Sequence, residues 1–531
     1  KYWLLLVSLV FLYGCQPSNS KVKSEKQILR TALCVDIISL DPRKGVSPVC
    51  QGVVRMLFRG LVRLDNEENP QLELAQSYNV SEDYKTYTFT LKDCYWSNGT
   101  PITAHDFEHT WKAALTPAYT SSCTNLFFHL KNGRKAFLGQ ISIDHVGVKA
   151  LDNKTLVVEL ESPNPHIFNV LAHSIFSPVH ETMRYAAPNP SQLITSGPFL
   201  LKKYVFQDKI LLAKNKHYWN SSHIQLDEIH YFIIKELETS LLMFEKKELD
   251  WLGYPLTRIP HESVPVLASK GILRTHPTTG IQWLFINTKK FPLNNVHIRK
   301  ALAYAIDRQS IIKELLNLDE IPPSLGLIPK ITKREKWHPW FKDNDVSQAK
   351  AHLEQGLQEL NISLEQFPEI KIAHSGSNNS KLMQVVQQMW KKNLGIDVKL
   401  DCMEPTTMFS NWYAQDYDIS VIGWVLQYGD PVNMMEIFQY KNIEPNYTGW
   451  ENSEFIQHTI STIKATNENE RWQHIEEAEK IFFNEMPSIP IFEYVTAYVE
   501  QPYVKGVRVS PLHLIDFDDA SIETLLVPRE H

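Results

Sequence analysis

Two apolar periodicities alternate along almost the whole chain, one of two residues and one of about 3.6, and that alternation admits little besides a mixed α/β fold. Ile28 to Ile37 is a strand-like run that ends at the turn Asp41-Pro42. Val53 to Val62 carries Val53, Val54, Leu57 and Leu61 at helical spacing and predicts a helix. Tyr87, Phe89 and Leu91 alternate with Thr88, Thr90 and Lys92, as in a half-buried strand. Thr103 can cap a helix from Ala104 to Leu115, with Asp106 in its first turn. Val146 and Val148, the turn Asp152-Asn153, and Leu156, Val158 and Leu160 predict a β-hairpin, and Phe199 to Ala213 a further strand pair. In the second half, strands are predicted at Gln282 to Asn287, Ile370 to His374, Ile396 to Leu400 and Asp418 to Trp424, with Ile489 to Val499 extended. Asn295 caps a helix through Ile306, Asp307 starts another through Leu316, Ser380 opens one that Gly395 stops, and Glu470 to Phe483 is amphipathic. The Pro-rich stretch Ile321 to His338 reads as surface loop.

The chain is long enough for several cores. At about 150 residues per unit, its 531 residues predict three or four folding units, and 43% apolar residues can fill them. Lys and Arg number 54 against 60 Asp and Glu, a net charge of −6, so no positive excess exists to neutralise nucleic-acid phosphates. No nucleic-acid partner is expected. No repeat of fixed period occurs. Cys residues stand at 15, 34, 50, 94, 123 and 402, without a C-x-x-C pair or zinc-site spacing, so neither metal nor cofactor is expected. His173, His180, His217 and His223 are scattered and read as surface or packing residues.

Catalytic patterns fail as well. The chain has no G-x-S-x-G, H-E-x-x-H, Walker loop or G-x-G-x-x-G. Ser18-Asn19-Ser20-Lys21 matches S-x-x-K, but it lies in a polar stretch with no K-T-G elsewhere to complete the set. An exported hydrolase on an unfamiliar scaffold would need a nucleophile and base that the sequence does not offer. The chain is therefore expected not to be an enzyme.

The N-terminus reads as an export signal. Lys1 precedes the apolar run Tyr2 to Tyr13, shorter than the roughly 20 residues of a membrane span. Leu12-Tyr13-Gly14-Cys15 resembles a bacterial lipobox, in which the Cys becomes the lipidated first residue; the alternative is an ordinary signal peptide that contains a Cys. On the first reading residues 1–14 are the signal, and 15–27 are the lipidated Cys15 with a solvated tether. Five cysteines then remain, and an odd number leaves at least one thiol unpaired.

Several segments, in order, resemble one family: the substrate-binding proteins of ABC-type oligopeptide and dipeptide importers, solute-binding family 5. They are Leu57-Phe58-Arg59-Gly60-Leu61 with Leu74-Ala75-Gln76-Ser77-Tyr78, then Trp96-Ser97-Asn98-Gly99-Thr100-Pro101-Ile102-Thr103-Ala104-His105-Asp106-Phe107. Ser196-Gly197-Pro198-Phe199, Asn215-Lys216-His217-Tyr218-Trp219 and Val296 to Arg308 continue the match, which runs from about residue 28 to about residue 500. The resemblance implies a two-lobed periplasmic-binding-protein fold of type II, a venus flytrap with an extra inserted domain and hinge closure. By analogy one lobe is 28–59, 181–281 and 498–531, the inserted domain 60–180, and the other lobe 282–497. It further implies a monomer in the periplasm or on the cell surface, held to a membrane by its lipid. Such a protein hands peptides to an ABC permease with its ATPases. A sensory module on the same fold, signalling to a receptor, is the alternative.

The family's binding segment, G-W-x-x-D-Y-x-[ED]-P, reads here Gly423-Trp424-Val425-Leu426-Gln427-Tyr428-Gly429-Asp430-Pro431. The resemblance implies that Gly423, Trp424 and Val425 offer main chain to a peptide by strand addition, with Trp424 as an aromatic wall. It places Gln427 where the family has the Asp that pairs with the peptide α-ammonium, followed by Tyr428 and Asp430. A second strand is expected from Gly45 to Pro48, with Val46 and Ser47 facing the ligand. An amide brings no charge, and a charge-assisted bond is roughly twice as strong as a neutral one. Asp430, Glu404 or Asp416 could compensate; otherwise the ligand range shifts to N-blocked or cell-wall peptides, glycosides or a metal chelate. From Gly14-Cys15 one expectation follows: Cys15→Ala moves the protein from the membrane to the soluble fraction. Identical soluble fractionation of both forms would exclude the lipid.

Overall fold

The computed structural model describes residues 26–523 apart from 45–46, 66, 120, 122, 184–189, 317–320, 334–336 and 442–444. The signal, Cys15, nearly all of the tether, Gly45 and Val46 lie outside the described residues. A ten-stranded sheet organises the rest. Its order is Val398–Cys402, Ile370–His374, Ile419–Val425, Arg274–Ile286, Ser488–Glu500, Trp251–Gly253, Ile28–Leu33, Glu228–Ile233, Lys209–Lys214 and Phe199–Val205. Ser488–Glu500 pairs with Arg274–Ile286 on one side, from Phe285↔Ser488 to Arg274↔Tyr498, and with Trp251–Gly253 on the other. Two 13-residue antiparallel strands therefore run from one half of the sheet into the other. A four-stranded antiparallel sheet, Ala75–Val80, Thr86–Leu91, Thr155–Glu159 and Val148–Ala150, stands apart from it.

The apolar interior follows this division. One cluster gathers Leu29, Val53, Leu57, Phe199, Trp251 and Phe517 from both ends and the middle of the chain. A second runs from Leu61 to Phe176 and from Ile281 to Phe492, and so joins the small sheet to the other half of the large one. Buried charge links the small-sheet segment to the first cluster. Arg59 donates to both oxygens of Asp518 at 2.5 Å, and the fully buried Glu73 accepts from Tyr218 and Trp219 and faces Arg63. Burial, with the neighbouring Asp516 charge, raises the Asp518 carboxyl above its ordinary range against the pull of Arg59.

Most elements form where local pattern put them. Thr86–Leu91 buries Tyr87, Phe89 and Leu91 and leaves the intervening threonines half-buried. Ala104–Ala114 starts with Thr103 and Asp106 in a reciprocal capping box. The hairpin pairs Val148–Ala150 with Thr155–Glu159, and Gly395, at φ +72°, ends the helix Ser377–Leu394. Four readings differ. The Pro-rich stretch Ile321 to His338, read as surface loop, is buried from Ser324 to Pro329, where Leu327 and Ile328 enter the core, and continues as the helix Lys330–Lys333. The helix read over Val53 to Val62 spans Pro48–Leu57: Ser47 is extended, its hydroxyl accepts from the Cys50 N–H, and Pro48 takes the first turn. The described part of the Gly45 to Pro48 segment is thus a helix start and not a strand. The strand expected at Gln282 to Asn287 is Arg274–Ile286, buried throughout from Thr278 on, which hides any alternation. The helix started by Asp307 makes one turn, Arg308–Ser310, and continues as a π-turn over Ile311–Leu316. No disulfide joins Cys34, Cys50, Cys94, Cys123 or Cys402.

Where the halves of the large sheet join, the ladder between the long strands shifts register between Pro277 and Ile281. Tyr494 lies opposite that bulge. Its hydroxyl donates to Gln282 at 2.7 Å, and its ring covers Gly280 and Gly423, where an added Cβ would meet the ring or its hydroxyl. His513 packs on the same ring, and burial holds its imidazole down at about 3 and so neutral. Gly423→Ala is expected to cost about 1–3 kcal/mol, the scale of overpacking a close contact. In a Tyr494→Phe background the cost should fall, because the hydroxyl is the nearest obstacle. Urea midpoints of the four proteins measure that coupling, and additive losses would deny the contact.

Candidate functional site

Strand Ile419–Val425 is paired along its whole length by Arg274–Ile286, from Ile286↔Ile419 to Gly280↔Val425. On its other side Ile370–His374 reaches only Ile419 and Ser420. Among the described residues, Val421–Val425 have no ladder partner on that side, and Gly423–Val425 are accessible there, the feature that strand addition requires. Gly423 and Trp424 lie on it, both at least partly exposed.

The chain then turns through a loop fixed by one ion pair. Asp430, 2% exposed, receives Arg471 at 2.5 and 2.6 Å and also accepts the N–H of Val432, so it starts the short helix Val432–Glu436 behind Pro431. This helix sets Asn433 and Glu436 one turn apart. The Asn433 side-chain oxygen accepts the Gln427 N–H at 2.7 Å, and its amide nitrogen donates to Glu436 Oε2 at 3.2 Å. The Tyr428 hydroxyl donates to the same Oε2 at 2.7 Å. Burial, reinforced by the Glu436 charge, pushes the Tyr428 phenol well above its ordinary range, so it stays protonated as a donor.

A cavity of about 620 Å³ opens beside this loop. Trp424, Gln427 and Glu436 line one wall, and Asn125, Phe128 and His129 the facing one. Gln427 bridges the two: its amide oxygen accepts from Asn125 at 3.4 Å and its amide nitrogen donates to the Cys123 sulfur at 3.6 Å. Arg134, Lys135 and Lys464 stand exposed at the rim with Glu161. Among the described residues, the buried Trp424 indole N–H and Asn125 side-chain oxygen have no hydrogen-bond partner, and such groups are costly to leave unpaired. Behind Gln427, a gap of about 10 Å³ separates it from Gln51, Arg55 and His173, room for a single water. Burial and Arg55 hold the His173 imidazole down at about 4, hence neutral.

Of the residues singled out from the sequence, Trp424 and Gln427 line the cavity, while Gly423 and Val425 lie on the adjoining strand edge. Tyr428 and Asp430 stand behind the wall and position it. Ser47 caps its helix, and Val46 is not among the described residues. None of the three carboxylates considered as compensation faces the cavity: Asp430 is spent on Arg471, Glu404 is exposed before the helix Pro405–Ala414, and Asp416 is exposed 3.4 Å from Lys290. Glu436, Asn433, His129 and the rim cations went unread. Only Asp430-Pro431 carried a local signal, that of a helix start with Asn433 and Glu436 on its first turn. His180 packs edge-on against Trp96, His223 pairs with Asp519 at the surface, and no group of three metal-ligating side chains occurs among the described residues.

Comparison with known proteins agrees with this architecture. A profile of the bacterial extracellular solute-binding proteins, family 5, matches residues 69–446, more than half of the chain. The oligopeptide-binding protein OppA of Bacillus subtilis is 36% identical over 521 residues, 95% of each chain. The murein tripeptide binding protein MppA of Escherichia coli superposes with a TM-score of 0.83 at 25% identity, covering 94% of this chain and 99% of that one. OppA of Haemophilus influenzae, in complex with RPPGFSPFR, gives 0.82 at 26% identity over 94% and 99%. The chain belongs to solute-binding family 5, with the two-lobed fold of type II periplasmic binding proteins, and it is an extracytoplasmic binding protein, not an enzyme.

The Asp430–Arg471 pair carries the site's geometry, and removing one partner leaves a buried charge. Arg471→Met is expected to cost about 3–5 kcal/mol in a urea titration. Arg471→Met with Asp430→Asn should recover part of that loss. A single variant within about 0.5 kcal/mol of wild type would show that the pair holds nothing.

Proposed function

We propose that the protein captures oligopeptides outside the cytoplasm and delivers them to an ABC permease with its ATPases. The observation that carries this reading is the open edge of Gly423–Val425 beside a cavity walled by Trp424. A peptide main chain added to that edge pairs with protein main chain, which demands little of its side chains. The aromatic wall and the cavity's volume accept varied side chains, with water filling the remainder. The peptide-binding functions that name the Bacillus and Haemophilus relatives support the same ligand class.

In this reading residues 28–59, 181–281 and 498–531 form one lobe, 60–180 the inserted domain and 282–497 the other lobe. Arg274–Ile286 and Ser488–Glu500 act as the hinge between the lobes. The composition of the first apolar cluster, drawn from both chain ends and the middle, supports that division. The protein acts as a monomer held to the membrane through Cys15.

An equimolar library of synthetic tri- to hexapeptides tests the function. Binding stabilises the folded state by mass action, about 2.7 kcal/mol at a hundredfold excess over Kd. The melting temperature should rise and the radius of gyration from X-ray scattering should fall. Stabilisation with unchanged scattering would remove the hinge. Absence of any bound peptide by native mass spectrometry, with no thermal shift, would remove the peptide reading.

A further inference from the structure

The site has a negative charge that no sequence pattern announces. Glu436 is oriented from behind: Tyr428 and Asn433 both donate to its Oε2. Its Oε1 has His129 Nε2 at 3.6 Å, beyond hydrogen-bond reach, and its side chain is 17% exposed on the cavity wall. The other carboxylate lining the cavity, Glu161, is exposed at the rim and accepts the Asn132 N–H at 2.7 Å. Asp430 is neutralised by Arg471. The recessed part of the cavity is therefore acidic at one point, while Arg134, Lys135 and Lys464 make its mouth basic. That polarity suits a zwitterion that enters amine first.

We propose that Glu436 supplies the countercharge for the α-ammonium of a bound free-amine peptide, in place of a carboxylate at position 427. The assignment rests on the peptide reading of the cavity. An ammonium taken out of water needs an anion or several acceptors, and Glu436 Oε1 offers the anion without costing the loop its existing hydrogen bonds. Gln427 is committed to Asn125 and Cys123 across the cavity and brings no charge. Trp424 lines the same wall.

Three synthetic libraries of tri- to hexapeptides test the assignment by competition binding: Lys- and Arg-free peptides with free amines, the same peptides N-acetylated, and N-acetylated peptides with one Lys. Wild type should bind the first library about tenfold or more tighter than the second, the scale of one charge-assisted bond. Glu436→Gln keeps the size of the side chain and an acceptor for Tyr428, and it should reduce that ratio to below about twofold. Glu436→Asp, which keeps the charge but withdraws it, should give an intermediate ratio; it serves alone if the Gln variant does not fold. A general packing defect would lower both libraries together and leave the ratio intact. A ratio that survives both substitutions overturns the assignment and leaves the peptide reading standing, as does a wild-type ratio near one. If the Lys-bearing acetylated library binds as tightly as the free-amine one, and Glu436→Gln abolishes that too, the group held is a side-chain ammonium and the α-amine assignment falls. Binding of none of the libraries overturns the peptide reading and this assignment together.

Discussion

The rest of the structure depends on two strands that belong to both halves of one sheet. Arg274–Ile286 and Ser488–Glu500 stay paired with each other while their outer neighbours change from Ile419–Val425 at one end to Trp251–Gly253 at the other. A hydrogen-bonded ladder ties the two halves together, and it is not continuous. One interruption lies at Thr278 to Gly280, where the Thr278 hydroxyl donates to the Tyr494 carbonyl and accepts the Gly280 N–H, and a second lies between Gln282 and Trp283. Tyr494 needs the space above Gly280 and Gly423 for its ring. Gly423 also sits on the open strand edge. The interrupted part of the ladder and the unpaired strand edge are thus in contact through a single aromatic ring.

A second constraint fixes what stands next to that edge. The loop after Val425 has no strand partner, so polar groups inside the loop must hold it. Asp430 does this by neutralising Arg471 and starting a helix, and Asn433 returns from that helix to the Gln427 N–H. A buried ion pair contributes little net stability when compared with an apolar replacement. Its consequence here is geometric: removing either partner frees the helix that presents Glu436. Stability and site geometry therefore rest on the same bond, as expected where preorganised polar groups bind a ligand.

How much of this was legible depends on how local each signal was. The Thr86–Leu91 strand, the Thr103 capping box and the Val148–Glu159 hairpin each depend on neighbours within a few residues, and they could be read. The helix at Pro48–Leu57 was misplaced because apolar spacing from Val53 onward outweighed Ser47-Pro48, a cap followed by a proline at the first turn. Arg274–Ile286 was read short because a strand buried on both faces does not alternate. At the site, the family pattern led to Trp424 and Gln427, which do line the cavity. It also led to Asp430, whose role is set by Arg471, forty-one residues away. The facing wall comes from residues about three hundred positions earlier, and no periodicity links Asn125 to Gln427.

The same separation explains why a neutral amide can stand at position 427. That side chain reaches across to Asn125, a donor, and to Cys123, a sulfur acceptor. An amide can accept from one and donate to the other at once, whereas a carboxylate has no proton to donate. Nine residues on, Glu436 has two donors behind one oxygen, while the other faces the cavity with His129 Nε2 at 3.6 Å. Bridging the walls and carrying the negative charge are thereby divided between two side chains, each in surroundings that suit its chemistry. The polarity of the cavity then depends on the short helix after Pro431 and not on the strand that leads into it.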